Sequence, residues 1–279
     1  MSERLNGYRG GLKLAVLDLA GTVIDYGSSA PAGAFVELFA GRGISVSDAE
    51  ARGPMGMHKR DHIAALCALP HVAAQWREKH GAAVGDADID RMYADFIPLQ
   101  MSVLPKYADL IPGSAAAVAT LREMGLKIAF TTGYNCEMLD IVLAAAAEQG
   151  LQADTAVCGT DVPAGRPAPW MALECAARLN VYPPAACIKF GDTLVDIEAG
   201  LNAGMWSVGT ALSGNMAGLS LAEWNALSQD EQDRLRVKAH AAMAAAGAHA
   251  VVDSVADAPR IVARVNELLA AGAWPGVID

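Results

Sequence analysis

The sequence predicts an α/β protein: a Rossmann-like, doubly wound parallel sheet with an all-helical cap domain inserted after the first strand. Three observations carry that expectation. Residues 13–18, KLAVLD, form a short apolar run that ends in a carboxylate. Residues 28–106 show apolar side chains at helical spacing and no strand-like run. From residue 114 onward, short β-rich runs alternate with helical ones, as parallel strands joined by crossover helices do. The expected domains are a core of residues 1–27 and 107–279 and a helical cap of residues 28–106.

Within the cap, Ala30-Pro31 opens a helix through Phe35, Leu38 and Phe39 that ends at Gly41 and Gly43, because proline suits a first helical turn. Ser47 to Glu50 fits a capping box. Helices are expected over 57–69, 72–79 and 89–101, the last disturbed by Pro98. In the second half, helices 114–124, 137–148, 169–179, 195–202, 231–245 and 259–269 alternate with strands 127–132, 155–158, 187–190, 206–209 and 250–252. Residues 214–219 read as an exposed loop.

A chain of 279 residues, 53% hydrophobic, can bury a sizeable core. Its formal net charge of −10 argues against a nucleic-acid partner, which needs a basic face, but allows a small anion in a locally positive pocket. The five cysteines, Cys67, Cys136, Cys158, Cys175 and Cys187, are scattered and include no C-x-x-C pair, so reduced thiols and no structural zinc are expected. The opening residues MSERLNGYRGG carry no leader pattern, and no run of about 18 apolar residues occurs. A cytoplasmic protein with no membrane partner is expected.

Ligands of a doubly wound sheet bind beyond the carboxyl ends of its strands. That rule selects Asp18, Thr132, the loop around Arg166, and Asp192. A carboxylate at the mouth of an apolar strand is costly unless something binds it. Asp18 and Asp192, brought together, would repel each other unless a cation lay between them. Two aspartates and a main-chain carbonyl suffice for Mg²⁺, with Asp196 one helical turn on to orient the site; both Asp192 and Asp196 equally suit a helix cap. Thr132 and Gly133 offer a hydroxyl and N–H groups to a phosphate-like oxygen, or form an ordinary turn. Arg166, in the stiff PAGRP loop, offers a planar fork to the same oxygens, or is a solvated surface arginine.

Together DLAGT, TTG, the arginine loop and GDTLVD resemble the haloacid dehalogenase superfamily over the whole chain. The resemblance implies that Asp18 is the nucleophile, forming an aspartyl-phosphate, and that Asp18, the Ala20 carbonyl and Asp192 hold Mg²⁺. Its phosphatases and mutases usually have a second aspartate where Ala20 stands, to protonate the leaving alkoxide and then activate water; a methyl group does neither. The phosphonoacetaldehyde hydrolase family has alanine there and is more similar to this chain. The matching stretches are residues 18–26, 30–31, 54–62 (PMGMHKRDH), 131–134 (TTGY), 161–170 (DVPAGRPAPW) and 202–209 (NAGMWSVG).

That resemblance implies hydrolysis of the C–P bond of phosphonoacetaldehyde to acetaldehyde and phosphate, in 2-aminoethylphosphonate degradation, by a homodimer joined through the cap. Lys59 would hold the aldehyde as a Schiff base, an electron sink that makes the acid missing at Ala20 unnecessary; taken alone it reads as a solvated helix lysine. His62, three residues on, shares its helical face and is a candidate proton shuttle or a core histidine. His58 points elsewhere and is expected at the surface. Met55 and Tyr134 are candidate substrate contacts or simply packing. Leu19 and Ser28 depart from the family, which tends to have an aromatic residue and a thiol there. The rivals are a phosphate-ester hydrolase and a catalytically silent domain of the same fold.

Overall fold

The computed structural model describes residues 8–278; residues 1–7, part of the stretch read as lacking a leader, lie outside them. Strand β1 (Leu14–Asp18) is buried along its whole length, which is why it is an unbroken apolar run rather than an alternating one. It pairs in parallel with β2 (Lys127–Thr132) on one side and β4 (Cys187–Gly191) on the other. Strand β3 (Thr155–Cys158) lies outside β2, and β5 (Trp206–Thr210) and β6 (Ala250–Val252) lie outside β4, giving the order β3-β2-β1-β4-β5-β6. The chain leaves β1 in opposite directions at its two neighbours, so the crevice of the sheet opens at the carboxyl end of β1.

Five helices follow β1 before the first crossover helix: α1 (Ser29–Ala40), α2 (Asp48–Arg52), α3 (Lys59–Cys67), α4 (Pro70–His80) and α5 (Asp86–Val103). The crossovers of the sheet are α6 (Ser114–Glu123), α7 (Cys136–Glu148), α8 (Trp170–Arg178) and α9 (Leu194–Asn202); α10 (Leu221–Ala226), α11 (Gln229–Ala245) and α12 (Ala258–Ala270) follow β5 and β6. Alternation along β1 divides the core. Ala15 and Leu17 join a cluster with Phe35, Phe96, Leu121 and Val262, whereas Leu14 and Val16 join Met171, Ala172 and Cys175. Among the described residues no helix is long and apolar enough to cross a membrane.

Two expectations fail here. Helix α5 runs unbroken for 18 residues through Pro98. Its packing holds it: Phe96 stacks on Phe35 of α1 with ring centroids 4.3 Å apart, and Ile89, Met92 and Phe96 are buried along one face. Residues 214–219 are not an exposed loop; Gly214 is buried and the rest half-buried, because the segment folds back on Asp192. Helix α10, with a capping box between Ser220 and Glu223, went unread behind it. The capping box at Ser47 is present and opens α2.

If the Phe35–Phe96 stack ties α5 to α1, Phe96→Ala lowers unfolding free energy by about 3–5 kcal/mol, the usual loss for a buried aromatic. Val237→Ala, at a position 70% exposed, stays within about 0.5 kcal/mol. Urea unfolding measures both; equal losses would remove the assigned role of the stack.

Candidate active site

Three strand ends and one helix start converge beyond β1. Asp18 closes β1 and pairs in register with Thr131. Thr132 and Gly133 end β2, Asp192 follows β4, Arg166 comes from the loop after β3, and Lys59 is the first residue of α3. These residues, with Ala20, Ser28, Met55 and Tyr134, line one narrow cleft.

The cleft floor is a buried charge network. The Arg166 guanidinium bridges Asp18 and Asp196, with Nη1 3.1 Å from Asp196, and also donates to the Thr131 hydroxyl at 3.2 Å. Lys189, in the middle of β4, donates to Asp196 at 2.7 Å and to the Phe190 carbonyl at 2.9 Å. Burial alone would raise the Asp196 carboxyl; Arg166 and Lys189 outweigh it and hold that group below the usual carboxylate range. Asp18 comes out raised, because burial and the Asp196 charge exceed what Arg166 returns. Asp192 is pushed furthest, by burial and then by Asp18 and Asp196. Its carboxylate accepts the Asn215 N–H at 2.7 Å, and the network gives it no cation as partner.

Neither aspartate caps α9. Thr193 does, its hydroxyl accepting the Asp196 N–H at 3.3 Å and donating to the Asp196 carboxylate at 2.6 Å. Carboxylate oxygens of Asp18, Asp192 and Asp196 all lie within 4.8 Å of one another. The hydrogen bonds of the turn after β1 go to the Leu19 and Ile24 carbonyls and leave that of Ala20 out. Gly21, at φ 82°, lets this turn press on the acidic pair; a Cβ there would sit 2.1 Å from an Asp192 oxygen. All-oxygen donors with surplus negative charge fit a hard divalent cation.

Lys59 is 4% exposed. Burial, with Arg166 adding to it, lowers its ammonium from the ordinary 10.5 to about 8, against the pull of Asp18, Asp192 and Asp25. Its Nζ lies 5.4 Å from the ring centres of both Phe35 and Tyr134. His62 is outside the cleft lining: it stacks on Phe35 at 3.7 Å and its Nε2–H donates to the Ala51 carbonyl at 2.8 Å. Its Nδ1 is buried without a partner, and burial plus the Lys59 charge keep the ring neutral. The Thr132 hydroxyl accepts the Tyr134 N–H at 3.2 Å. Arg166 and Lys59 are thus not solvated. Nor is His58 a surface residue: it is half-buried beside Tyr93, at 5.5 Å between ring centres, and packs against Gly159 and Gly165.

Sequence reasoning missed Lys189 and Asp25. A lone cation inside the apolar strand CIKFG was a legible signal, since a buried lysine demands a partner. Asp25 gave none. Its carboxylate accepts the Ser29 and Ala30 N–H groups, each at 3.0 Å, and so caps α1, whose formal cap residue Ser28 has φ 50° and no side-chain bond. Burial raises the Asp25 carboxyl to about 7, against its backbone donors, Arg52 and Lys59.

The chain is similar to known proteins along most of its length. Residues 12–204 match the family model of haloacid dehalogenase-like hydrolases. The chain is 43% identical to the phosphonoacetaldehyde hydrolase of Syntrophobacter fumaroxidans, covering 96% of this chain and 97% of that one. It is 46% identical to the enzyme of that name from Paraburkholderia phytofirmans, over 95% and 99%. The crystal structure of a phosphonoacetaldehyde hydrolase-like protein from Oleispira antarctica superposes with a TM-score of 0.94 at 44% identity, over 96% and 97%.

The network predicts that Lys189→Met, which strands Asp196 in a buried site, destabilises the protein by about 3–5 kcal/mol. Lys189→Arg, which keeps the charge, loses less. Chemical denaturation tests the pair; a silent Lys189→Met would mean that Arg166 alone balances Asp196.

Proposed function

Because the chain belongs to the haloacid dehalogenase-like hydrolases and, within them, to the phosphonoacetaldehyde hydrolase family, we propose that it cleaves the C–P bond of phosphonoacetaldehyde to give acetaldehyde and phosphate, with Mg²⁺. One observation carries the reading. A buried lysine whose ammonium is lowered to about 8 shares a cleft with Asp18, and Ala20 stands where an ester hydrolase needs its acid.

The neutral Lys59 amine adds to the aldehyde carbon and water leaves, giving a protonated imine. Arg166, Thr132 and Gly133 receive the phosphonate oxygens, and Met55 and Tyr134 wall in the carbon end. Asp18 attacks phosphorus in line. The C–P electron pair flows into the imine, so the leaving group is a neutral enamine and no acid at position 20 is required. Water then hydrolyses the aspartyl-phosphate; the enamine is protonated at carbon and its imine hydrolysed, freeing acetaldehyde and Lys59. His62, neutral with a lone pair on Nδ1 and three residues from Lys59 on α3, is the candidate to move the protons of imine formation, although it does not line the cleft as the structure stands. Asp18, Asp192 and the Ala20 carbonyl would hold Mg²⁺, with Asp196 orienting them; when bound, it would supply positive charge that offsets the negative charge of the reacting groups.

Residues 28–106 act in this reading as a cap. They carry Lys59 and the sheet carries Asp18, so the site is complete only when both meet. The proposal also includes the cytoplasm, breakdown of 2-aminoethylphosphonate, and a homodimer through the cap. Such a pairing would use half-buried and polar surface, since the large exposed hydrophobic side chains among the described residues lie outside 28–106.

The deciding assay is Mg²⁺-dependent phosphate release from phosphonoacetaldehyde set against a panel of sugar phosphates; preference for the esters would overturn the reading. Asp18→Asn, which keeps the shape but not the nucleophile, lowers turnover at least ~10³-fold.

Lys59 gives two further expectations. Borohydride with substrate labels one peptide, that of Lys59, and inactivates the enzyme, whereas Lys59→Arg is inactive and unlabelled. Labelling spread over surface lysines would remove the imine. The reaction needs the neutral amine, so kcat/KM climbs as pH rises toward about 8 and levels above it. A rate flat from pH 6 to 9 would show that Lys59 takes no part as a free amine.

A further inference from the structure

The cysteines are scattered in sequence, but two of them meet in space. Cys136 is the exposed first residue of α7, and Cys158 is the fully buried last residue of β3. One hydroxyl, that of Thr160, lies 3.3 Å from the first sulfur and 3.1 Å from the second. The sulfurs themselves are within 4.8 Å of each other. The Cys136 thiol donates to Asp161 Oδ1 at 3.3 Å; Asp161 Oδ2 accepts the Cys158 N–H at 3.2 Å and lies 3.5 Å from Arg178.

We propose that Cys136 and Cys158 are a modification site, a dithiol that a hydroperoxide oxidises to a disulfide joining α7 to β3. An exposed thiol beside a buried one is the arrangement in which the first is oxidised and the second resolves it. The N–H groups at the start of α7 favour a thiolate at Cys136, its first residue. Against this, the hydrogen bond with Cys158, burial and the Asp161 carboxylate hold the Cys136 thiol up at about 11, so its thiolate is a minor species that peroxide consumes as it forms. The thiolate attacks the distal peroxide oxygen. The O–O bond breaks, alkoxide or hydroxide leaves and is protonated, and the attacking Cys136 sulfur becomes a sulfenic acid. The Cys158 sulfur then attacks the Cys136 sulfur; the S–S bond forms and hydroxide leaves, taking the remaining thiol proton as water. Displacement of the Thr160 hydroxyl, side-chain rotation and an approach of the two backbone segments close the gap to the ~2.05 Å of a disulfide.

The bond would act on the cleft nearby. Thr132 and Gly133 lie directly before Cys136, and Arg166 lies on the loop that leaves Cys158. Gly159 donates its N–H to the Tyr134 carbonyl at 3.1 Å, and His58, next to Lys59, packs on Gly159 and Gly165. Drawing the sulfurs together therefore shifts backbone that positions Thr132, Arg166 and Lys59. A thiophilic cation is disfavoured as the occupant, because Arg178 already pairs with the one carboxylate of the cluster.

The test uses the full-length, fully reduced protein and hydrogen peroxide in limited excess. Expected are the loss of two of the five free thiols, a mass about 2 Da lower, and one crosslinked peptide pair containing Cys136 and Cys158. Activity falls about tenfold or more with the same time course, and dithiothreitol restores both. Cys136→Ser keeps basal activity, forms no crosslink and resists peroxide. In Cys158→Ser, Cys136 lacks its resolving partner and gains oxygen instead. Oxygen addition without a crosslink in the unaltered protein would overturn the proposal, as would full crosslinking at unchanged activity. So would one equivalent of tightly held zinc that masks both thiols. Thiol count and crosslink are read without substrate, so their failure is distinct from failure of the assigned reaction.

Discussion

The bridge from Arg166 to Asp18 and Asp196 is the constraint on which the rest of the site depends. Four buried carboxylates, Asp18, Asp25, Asp192 and Asp196, share this end of the sheet with three buried cations, Lys59, Arg166 and Lys189. Desolvating each ion costs several kcal/mol, recovered only through good geometry and further hydrogen bonds. Arg166 supplies that geometry for two carboxylates at once, and Lys189 for one of them. The negative surplus falls on Asp192, which has a backbone N–H but no cation of its own. A divalent cation beside Asp18 and Asp192 would offset that surplus, which suits a phosphonate anion. The protein thus leaves unpaired the one carboxylate that a bound cation would complete.

The same burial sets the amine. Lys59 would remain an ammonium at neutral pH in water. Between α1 and the end of β2, facing the rings of Phe35 and Tyr134, it loses hydration that the nearby carboxylates only partly replace. Its position also depends on how α1 begins. Asp25 binds the first two N–H groups of that helix, and Arg52 donates to the Gly27 carbonyl at 2.6 Å, so the crossing from the sheet into the helices is held by charge on both sides. A buried lysine and a strained crossing, with Asp25 and Ser28 both at positive φ, are the local stability penalties expected where function overrides packing.

Most of the architecture was legible because it rests on local patterns. The strand over 155–158 matches residue for residue, and β1 was recognisable from apolar continuity alone. What failed depends on distant partners. Pro98 breaks an isolated helix but not one clamped by the Phe35–Phe96 stack. Residues 214–219 look like loop and are loop, yet Asp192 draws them inward. Lys59, at the start of α3, was picked out only through the family resemblance, whereas the candidate aspartates and the arginine could be picked out by chemistry at strand ends. Their pairing could not, since Arg166 and Asp18 are 148 positions apart. His58 was misjudged for the same reason: its helical phase points away from Lys59, but the loops bearing Gly159 and Gly165 come to meet it.

The two departures from the family pattern separate on position. Leu19 is fully buried in the apolar cluster with Phe35 and Phe39 and does not line the cleft, so its change from an aromatic residue is a matter of packing volume. Ser28 lines the cleft together with Lys59 and Asp18. A hydroxyl is a stronger donor and acceptor than a thiol and is smaller, so this position changes both hydrogen bonding and room at the carbon end of the substrate. The left-handed backbone at Ser28, φ 50°, fixes where that hydroxyl sits, because the chain there is held by Asp25 below and by Arg52 above. The charge network around Asp18, Arg166, Lys189 and Asp196 includes neither residue. Of the two departures, only Ser28 therefore reaches the cleft, while Leu19 acts through the packing behind it.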